Sequence, residues 1–117
     1  MINILGTKYK VIYREYKQDP LLKKRSLIGY SDSTDKLICV GRIMTFPGYE
    51  SENEEYCRKV EKSTLRHEII HSFLSESGLG DSFLKPDCGW AKNEEMVDWF
   101  AIQFPKILEV MKSADAL

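Results

Sequence analysis

The sequence lacks a paired-cysteine motif and has no long apolar run. Its three cysteines, Cys39, Cys57 and Cys88, are odd in number, far apart and without a C-x-x-C pair, which argues against a disulfide framework or a zinc ribbon. We therefore expect reduced thiols. No segment approaches the length of apolar chain that crosses a bilayer, and the N-terminus lacks a basic segment followed by an apolar run. These absences predict a cytoplasmic protein without a membrane partner.

An excess of charge of one sign is also missing. Seventeen Lys and Arg residues stand against eighteen Asp and Glu residues, for a formal net charge of −1, so no overall field attracts nucleic acid or an anionic membrane. A chain of 117 residues with 43% hydrophobic and 30% charged residues is typical of one globular domain with one core. We expect a single domain over residues 1–117 that does not bind nucleic acid. The sequence does not indicate its oligomeric state.

Both histidines of the chain lie in one short segment, His67-Glu68-Ile69-Ile70-His71. In an α-helix, side chains four residues apart leave the same face, so both imidazoles can bind one metal ion. The Glu68 side chain projects from the flank of that face, where it can act as a general base on a water molecule activated by the ion. This is the H-E-x-x-H zinc signature. A helix whose histidines bind no metal matches the same letters, so the assignment depends on a third ligand downstream.

The segment around the histidines is predicted to form one long helix. Residues 51–77 contain neither Gly nor Pro, acidic residues lie near their start, and Gly78 follows them, as expected for a helix with a defined beginning and end. Apolar residues cover a broad arc of the helical wheel with the histidines at its edge, which predicts a largely buried helix. Arg66 falls inside this arc, so we expect it either where the helix is exposed or paired with a buried carboxylate.

A second helix carries the candidate third ligand. Asn93 is a predicted N-cap, and the residues after it form a strongly amphipathic stripe that contains Pro105, where we expect a kink. A catalytic zinc ion commonly takes three protein ligands and a water. Because no histidine remains, we choose Glu94, at the margin of the stripe, over Glu95, which is rotated about 100° towards solvent. Asp98, one turn later, can accept the second ring N–H of a ligating histidine.

Alternatives for these residues stay open. Asn93-Glu94-Glu95 can simply cap a helix N-terminus, where acidic residues are favoured. Cys88, six residues before Glu94, is an alternative metal ligand, and as a fourth protein ligand it would close the site as in a structural zinc centre. The sequence offers three undistinguished candidates for stabilising a developing oxyanion, and it selects none of them: Tyr30, Tyr49 and Tyr56.

The N-terminal half is predicted to form strands. Residues 8–16 alternate and are rich in Ile, Val and Tyr, and the apolar-containing runs 26–30 and 36–40 flank a turn-forming cluster at 31–35, which indicates a hairpin. The second arm precedes the predicted metal helix, and it is our candidate for an edge strand that borders the site and pairs with an extended peptide substrate. Its residues are Leu37, Ile38, Cys39 and Val40. An internal strand fits the same pattern.

The two metal-binding segments together carry a family resemblance. His67-Glu68-Ile69-Ile70-His71 followed by Asn93-Glu94-Glu95-Met96-Val97-Asp98 resembles the gluzincin pattern, in which two histidines and a downstream glutamate bind zinc and an Asp or Asn one turn later supports a histidine. The short spacing, the small size, the preceding hairpin at 29–40 and Trp99-Phe100-Ala101 make the chain most similar to minimal gluzincins of the ImmA/IrrE type, which phages and mobile elements often carry. The similarity covers residues 26–108.

The resemblance implies a small α+β, zincin-like domain in which a short antiparallel or mixed sheet packs on the H-E-x-x-H helix and a C-terminal helix. It implies one zinc ion per chain, bound by His67, His71 and Glu94, and hydrolysis of a specific protein or peptide with Glu68 as general base. Some members act on a transcriptional repressor. This chain shows no evident long N-terminal helix and no fused DNA-binding or sensor domain, so we do not extend that substrate to it.

Two other functions remain open at this stage. The first is a non-catalytic zinc-binding module that uses the same scaffold for interaction with another protein. The second is a helical interaction protein that binds no metal.

Overall fold

The computed structural model describes residues 1–79 and 90–117. They form a small α+β domain with a four-stranded mixed sheet and two long helices, which confirms the predicted α+β class. The strands are β1 (Ile2–Ile4), β2 (Thr7–Arg14), β3 (Gly29–Asp32) and β4 (Leu37–Gly41), in the sheet order β1-β2-β4-β3. The helices are α1 (Pro20–Lys24), α2 (Glu54–Glu76) and α3 (Glu94–Ser113), with short 3₁₀ turns at Ile43–Thr45 and Trp90–Lys92.

The strand β4 lies inside the sheet. It pairs in parallel with β2, with Val11 beside Ile38, and antiparallel with β3, with Tyr30 beside Cys39. The predicted β3–β4 hairpin is therefore confirmed, but the expectation that Leu37, Ile38, Cys39 and Val40 form an edge strand was wrong. Both rows of main-chain groups on β4 already have partners, because β2 occupies the side that a substrate would need. The edge strand next to β4 is β3, and the other edge of the sheet is β1.

The two faces of the sheet have different partners. One face packs on α2 through a buried cluster that includes Leu65 and Ile69 at its margin, and its buried members are Ile4, Tyr9, Ile38 and Val40. The other face holds a second cluster built on Leu22, Cys39 and Phe46. The alternation of side chains along β4 explains this division, since successive residues of a strand point to opposite faces. The helix α2 therefore covers the sheet on one side only.

The long helix α2 begins and ends close to the predicted bounds. The Asn53 side chain accepts a hydrogen bond from the Tyr56 main-chain N–H at 2.8 Å, as an N-cap does, and Glu54 and Glu55 lie in the first turn. At the other end, the Glu76 carboxylate accepts hydrogen bonds from Thr7 Oγ1, Tyr9 Oη and Lys36 Nζ at 3.0, 2.8 and 2.6 Å. These bonds tie the last turn of α2 to the sheet.

The helix α3 also begins where the sequence indicates. The Asn93 side chain accepts a hydrogen bond from the Met96 main-chain N–H at 2.7 Å, and Pro105 lies inside the helix. Val97 and Ala101 are its fully buried residues, and they lie where α3 packs on α2. In the two described ranges, no helix combines the length and the apolar character that crossing a membrane requires.

Candidate metal centre

The helices α2 and α3 bring the three predicted metal ligands together. His67 and His71 lie one turn apart on α2, with their Nε2 atoms 3.1 Å apart. Glu94, in the first turn of α3, places Oε2 at 3.0 Å from Nε2 of His67 and Oε1 at 2.8 Å from Nε2 of His71. One ligand atom from each residue can be chosen so that all lie within 4.8 Å of one another. Glu95 is exposed and is not part of this group.

The chemistry of these atoms fits a single cation. Two imidazole nitrogens and one carboxylate are a common ligand set of catalytic zinc. Ligand atoms about 2.0–2.1 Å from a tetrahedral ion lie about 3.3–3.4 Å apart, close to the 3.1 Å between the two Nε2 atoms. The Glu94 carboxylate, with oxygens 2.8 and 3.0 Å from these nitrogens, would be the third protein ligand of such an ion, and a catalytic zinc keeps a further position for water. The donor set and its spacing are therefore compatible with one bound metal ion.

Asp98 controls which nitrogen of His67 carries a proton. Its Oδ1 lies 2.6 Å from Nδ1 of His67. Because an ionised carboxylate only accepts hydrogen bonds, we assign the proton to Nδ1, which donates it to Asp98. The lone pair of His67 then lies on Nε2, the atom that faces His71 and Glu94. The predicted supporting role of Asp98 thus has a matching contact, with His67 as the supported histidine.

Glu68 is the buried carboxylate beside this group. Its side chain is only 9% exposed, and its Oε1 lies 4.0 Å from Nε2 of His67. Burial raises the pKa of Glu68 to about 7; the neighbouring His67 lowers it, and the carboxylates of Glu94 and Asp98 raise it further. A carboxyl group with a pKa near neutrality is suited to accepting and returning a proton. A cation bound next to it would lower that pKa by favouring the ionised form.

The edge strand β3 lies directly against the helix that carries Glu68. A Cβ added at Gly29 would lie 2.5 Å from Cγ2 of Thr64 and 3.7 Å from Cγ of Glu68, so only glycine allows this approach. Two residues along the strand, the hydroxyl groups of Ser31 and Ser72 are 2.7 Å apart. The sheet edge therefore runs beside the candidate site, although it is formed by a different strand from the one predicted.

The main-chain groups of β3 alternate between its partner strand and the open edge. The Gly41 N–H donates to the Ile28 carbonyl at 2.8 Å, which sets the phase of the β3–β4 ladder. In an antiparallel pair, every second residue turns its N–H and C=O away from the partner strand. Here those residues are Gly29 and Ser31. Among the described residues, no strand pairs with this side of β3.

The remaining sequence candidates are not part of the described site. The Tyr30 hydroxyl donates to Asp19 at 2.6 Å, and Tyr49 packs against the cluster that contains Cys39, on the sheet face opposite α2. Tyr56 lies near the start of α2, about three turns before His67. Cys88 lies outside the described residues, so the structure does not address it as a fourth ligand.

Comparison with models of protein families, with curated proteins and with solved structures finds no match to this chain.

Proposed function

We propose that the protein is a zinc-dependent metallopeptidase with a zincin-like fold, of the minimal gluzincin type, in which His67, His71 and Glu94 hold one zinc ion. The observation that carries this proposal is the convergence of two Nε2 atoms and one carboxylate within 4.8 Å, next to the buried Glu68 carboxyl group. A zinc ion held there would supply Lewis-acid activation of a water molecule and of a peptide carbonyl.

Glu68 is the general base in this proposal. It takes a proton from the attacking water onto a carboxylate oxygen and gives it to the nitrogen of the departing amine, so the carboxyl group returns to its starting state. Its burial supports this role: low exposure raises the pKa of Glu68 to about 7 in the metal-free protein, and a bound cation would favour the ionised form, which is the form that accepts the proton of the water. Asp98 keeps the proton of His67 on Nδ1 and its lone pair on Nε2.

An extended peptide is the substrate class that the open edge of β3 fits. Main-chain groups of Gly29 and Ser31 can pair with an extended substrate. Because Gly29 has no side chain, β3 lies close to Glu68, and a substrate paired with β3 would therefore lie near the proposed general base. The free thiols of Cys39 and Cys57, both buried, agree with action in the reducing cytoplasm. Membranes and nucleic acids are not partners in this proposal.

Metal analysis and a cleavage screen test the proposal together. Protein purified without a histidine tag is expected to contain about one zinc ion per chain, the stoichiometry of a single mononuclear site. A proteome-wide cleavage screen with the wild type and with Glu68→Gln should then give peptide products only with the wild type. Zinc-free wild-type protein that cannot be reloaded, or identical product sets from both proteins, would contradict the proposal.

A non-catalytic zinc-binding interaction module is the second candidate. It is favoured by the placement of two candidate tyrosines: the Tyr30 hydroxyl donates to Asp19, and Tyr49 packs on the sheet face opposite α2, so neither is positioned to stabilise an oxyanion at the group formed by His67, His71 and Glu94. X-ray absorption at the zinc edge distinguishes the two candidates. A sulfur ligand would indicate a closed structural centre, whereas nitrogen and oxygen ligands alone are expected for the peptidase.

A further inference from the structure

Arg66, the residue just before the H-E-x-x-H segment, makes an unusual contact with α3. Its Nε atom donates a hydrogen bond to the main-chain carbonyl of Ala101 at 2.8 Å. The side chain is half-buried and lines an apolar groove of about 580 Å³ between α2 and α3. In the part of the chain that the structure describes, no carboxylate lies within ion-pair distance of Arg66, so neither sequence-based expectation for this residue accounts for its position. Its partner is a backbone group.

The carbonyl of Ala101 is available because of Pro105. In a regular α-helix, the carbonyl of residue 101 accepts a hydrogen bond from the N–H of residue 105. Proline has no N–H, so this bond cannot form in α3. Ala101 is 1% exposed, and a buried carbonyl without a partner is unfavourable. The Arg66 guanidinium supplies the missing donor, and as a charged donor it makes a stronger bond than a neutral one.

Three residues of α2 make polar contacts that set the register of α3, and Arg66 is the first of them along the helix. Going up α2, the residues Arg66, His67 and His71 contact Ala101, Asp98 and Glu94, in descending order along α3. The helices are therefore antiparallel where they meet. A slip of a single residue would move α3 by about 1.5 Å, enough to take the Glu94 carboxylate out of position. Of the three contacts, only the one made by Arg66 lies outside the metal group and its supporting carboxylate.

We infer that Arg66 is a positioning residue for the metal centre: it binds the Ala101 carbonyl that Pro105 leaves open, and thereby holds Glu94 and Asp98 against the two histidines. The inference deepens the proposed function and rests on it for the link to zinc. The contribution of Arg66 depends on Pro105: the hydrogen bond from Arg66 to the Ala101 carbonyl is needed only because Pro105 has no N–H to donate to that carbonyl.

A double-mutant cycle measured by zinc affinity tests this dependence. Arg66→Met keeps most of the aliphatic stem but removes the donor, and it should weaken zinc binding by about tenfold, the lower end of what partners of metal ligands contribute. Pro105→Ala restores a main-chain N–H that can bond the Ala101 carbonyl. In the Pro105→Ala background, Arg66→Met should therefore weaken binding by less than about threefold. Arg66→Lys, which retains a donor, should recover part of the affinity.

Two control variants separate positioning from a general loss of stability. Arg58→Met removes an arginine from the same helix whose partner is the exposed Glu54, and zinc affinity should not change. Leu22→Ala opens a cavity in the core on the sheet face opposite α2, so it should lower the free energy of unfolding without changing the zinc affinity of the folded protein. If Leu22→Ala reduced zinc affinity as much as Arg66→Met does, the effect of Arg66 would be one of stability, and the inference would be overturned.

Amide hydrogen exchange of α3 in metal-free protein provides a readout that does not need zinc. Arg66→Met should speed exchange in residues 97–101 about tenfold in the Pro105 protein and much less in the Pro105→Ala background, because the restored bond anchors the same carbonyl.

Wild-type protein that binds no zinc would overturn the proposed function, and the exchange data would still decide whether Arg66 positions α3. Zinc binding that is unaffected by Arg66→Met would overturn this inference alone. An equal loss of zinc affinity on Arg66→Met in the Pro105 and Pro105→Ala backgrounds would show that Arg66 does not act through the Ala101 carbonyl, and would also overturn the inference.

Discussion

Gly29 of β3 and Thr64 of α2 lie so close together that no side chain fits between them. A Cβ at position 29 would meet Cγ2 of Thr64 at 2.5 Å and the main-chain oxygen of Cys39 at 3.0 Å. The same contact places the open edge of the sheet beside Glu68, one turn further along α2. A change that moves β3 away from α2 should therefore also change the distance between the sheet edge and Glu68, the candidate general base.

Gly29→Ala should lower both stability and turnover. The added methyl group forces β3 away from α2, and overpacking of this kind costs about 1–3 kcal/mol in the free energy of unfolding. Because the displaced strand also carries the main-chain groups proposed to bind substrate, KM should rise as well. Urea unfolding and steady-state kinetics on a peptide substrate measure the two effects. Thr64→Ser in the Gly29→Ala background removes the crowding methyl group but keeps the hydroxyl that donates to the Val60 carbonyl, and should restore part of both losses.

Gly41→Ala is the matched control for this prediction. A Cβ there would lie 2.4 Å from the ring of Phe46, on the sheet face opposite α2. It should destabilise the fold by a comparable amount while leaving KM of the folded protein unchanged. A Gly29→Ala protein with normal KM, or a Gly41→Ala protein with the same rise in KM, would show that β3 does not bind the substrate.

Glu68→Gln should abolish turnover while zinc stays bound. The amide cannot accept the proton of the attacking water, and loss of a general base typically lowers kcat by about 10²–10⁴-fold. Zinc content should remain at the wild-type level because Glu68 is not among the three ligands. Metal analysis and a cleavage assay on the same sample provide both measurements. Glu61→Gln, on the same helix and paired with Arg42, is expected to keep wild-type turnover. Full activity in the Glu68 variant would rule out the assigned role.

Glu94→Gln and Glu95→Gln should differ sharply in zinc affinity, although the two residues are neighbours. Glu94 contacts both histidines at 2.8 and 3.0 Å, and a neutral amide replaces a charged oxygen ligand poorly. Its loss should exceed about tenfold, the lower end of what even an outer partner of a metal ligand contributes. Glu95 is exposed and is not part of the group, so its variant should bind zinc as the wild type does. Competition titration with a chelating dye measures both affinities. Equal losses would mean that the net charge of the helix start, and not ligation, determines binding.

The parts of this molecule that sequence reasoning predicted are those with local causes. His67 and His71 share a face because the helix repeat is local, and Glu94 and Asp98 share a face of α3 for the same reason, after the start that the Asn93 cap marks. The position of β4 could not be predicted in this way. Its apolar alternation is the same whether or not β2 pairs with its second side, and that pairing joins segments far apart in the chain. The link between Arg66 and Pro105 could not be predicted either, because it depends on the packing of α3 against α2, which places the Ala101 carbonyl beside Arg66.

The Glu76 carboxylate should make the free energy of unfolding depend on pH in the acidic range. Hydrogen bonding from Lys36, and then from Tyr9, holds the pKa of Glu76 below its usual value, because these donors favour the ionised carboxylate. A carboxyl group whose pKa is lower in the folded state stabilises the protein above its unfolded-state pKa of about 4.3. That contribution disappears as pH falls through the lower folded-state pKa.

Glu76→Gln therefore should be less stable than the wild type at pH 7, and the difference should shrink as pH falls below the unfolded-state pKa of about 4.3, because the folded carboxylate then binds a proton more weakly than the unfolded one. Urea unfolding midpoints of both proteins between pH 7 and pH 3 measure the two curves. Glu55→Gln is the control, because its exposed pair with Lys59, four residues on in the same helix, should contribute little at any pH. A difference between wild type and Glu76→Gln that stayed constant over this range would mean that Glu76 stabilises the fold through packing, and that its charge does not link the last turn of α2 to Lys36 in the turn before β4.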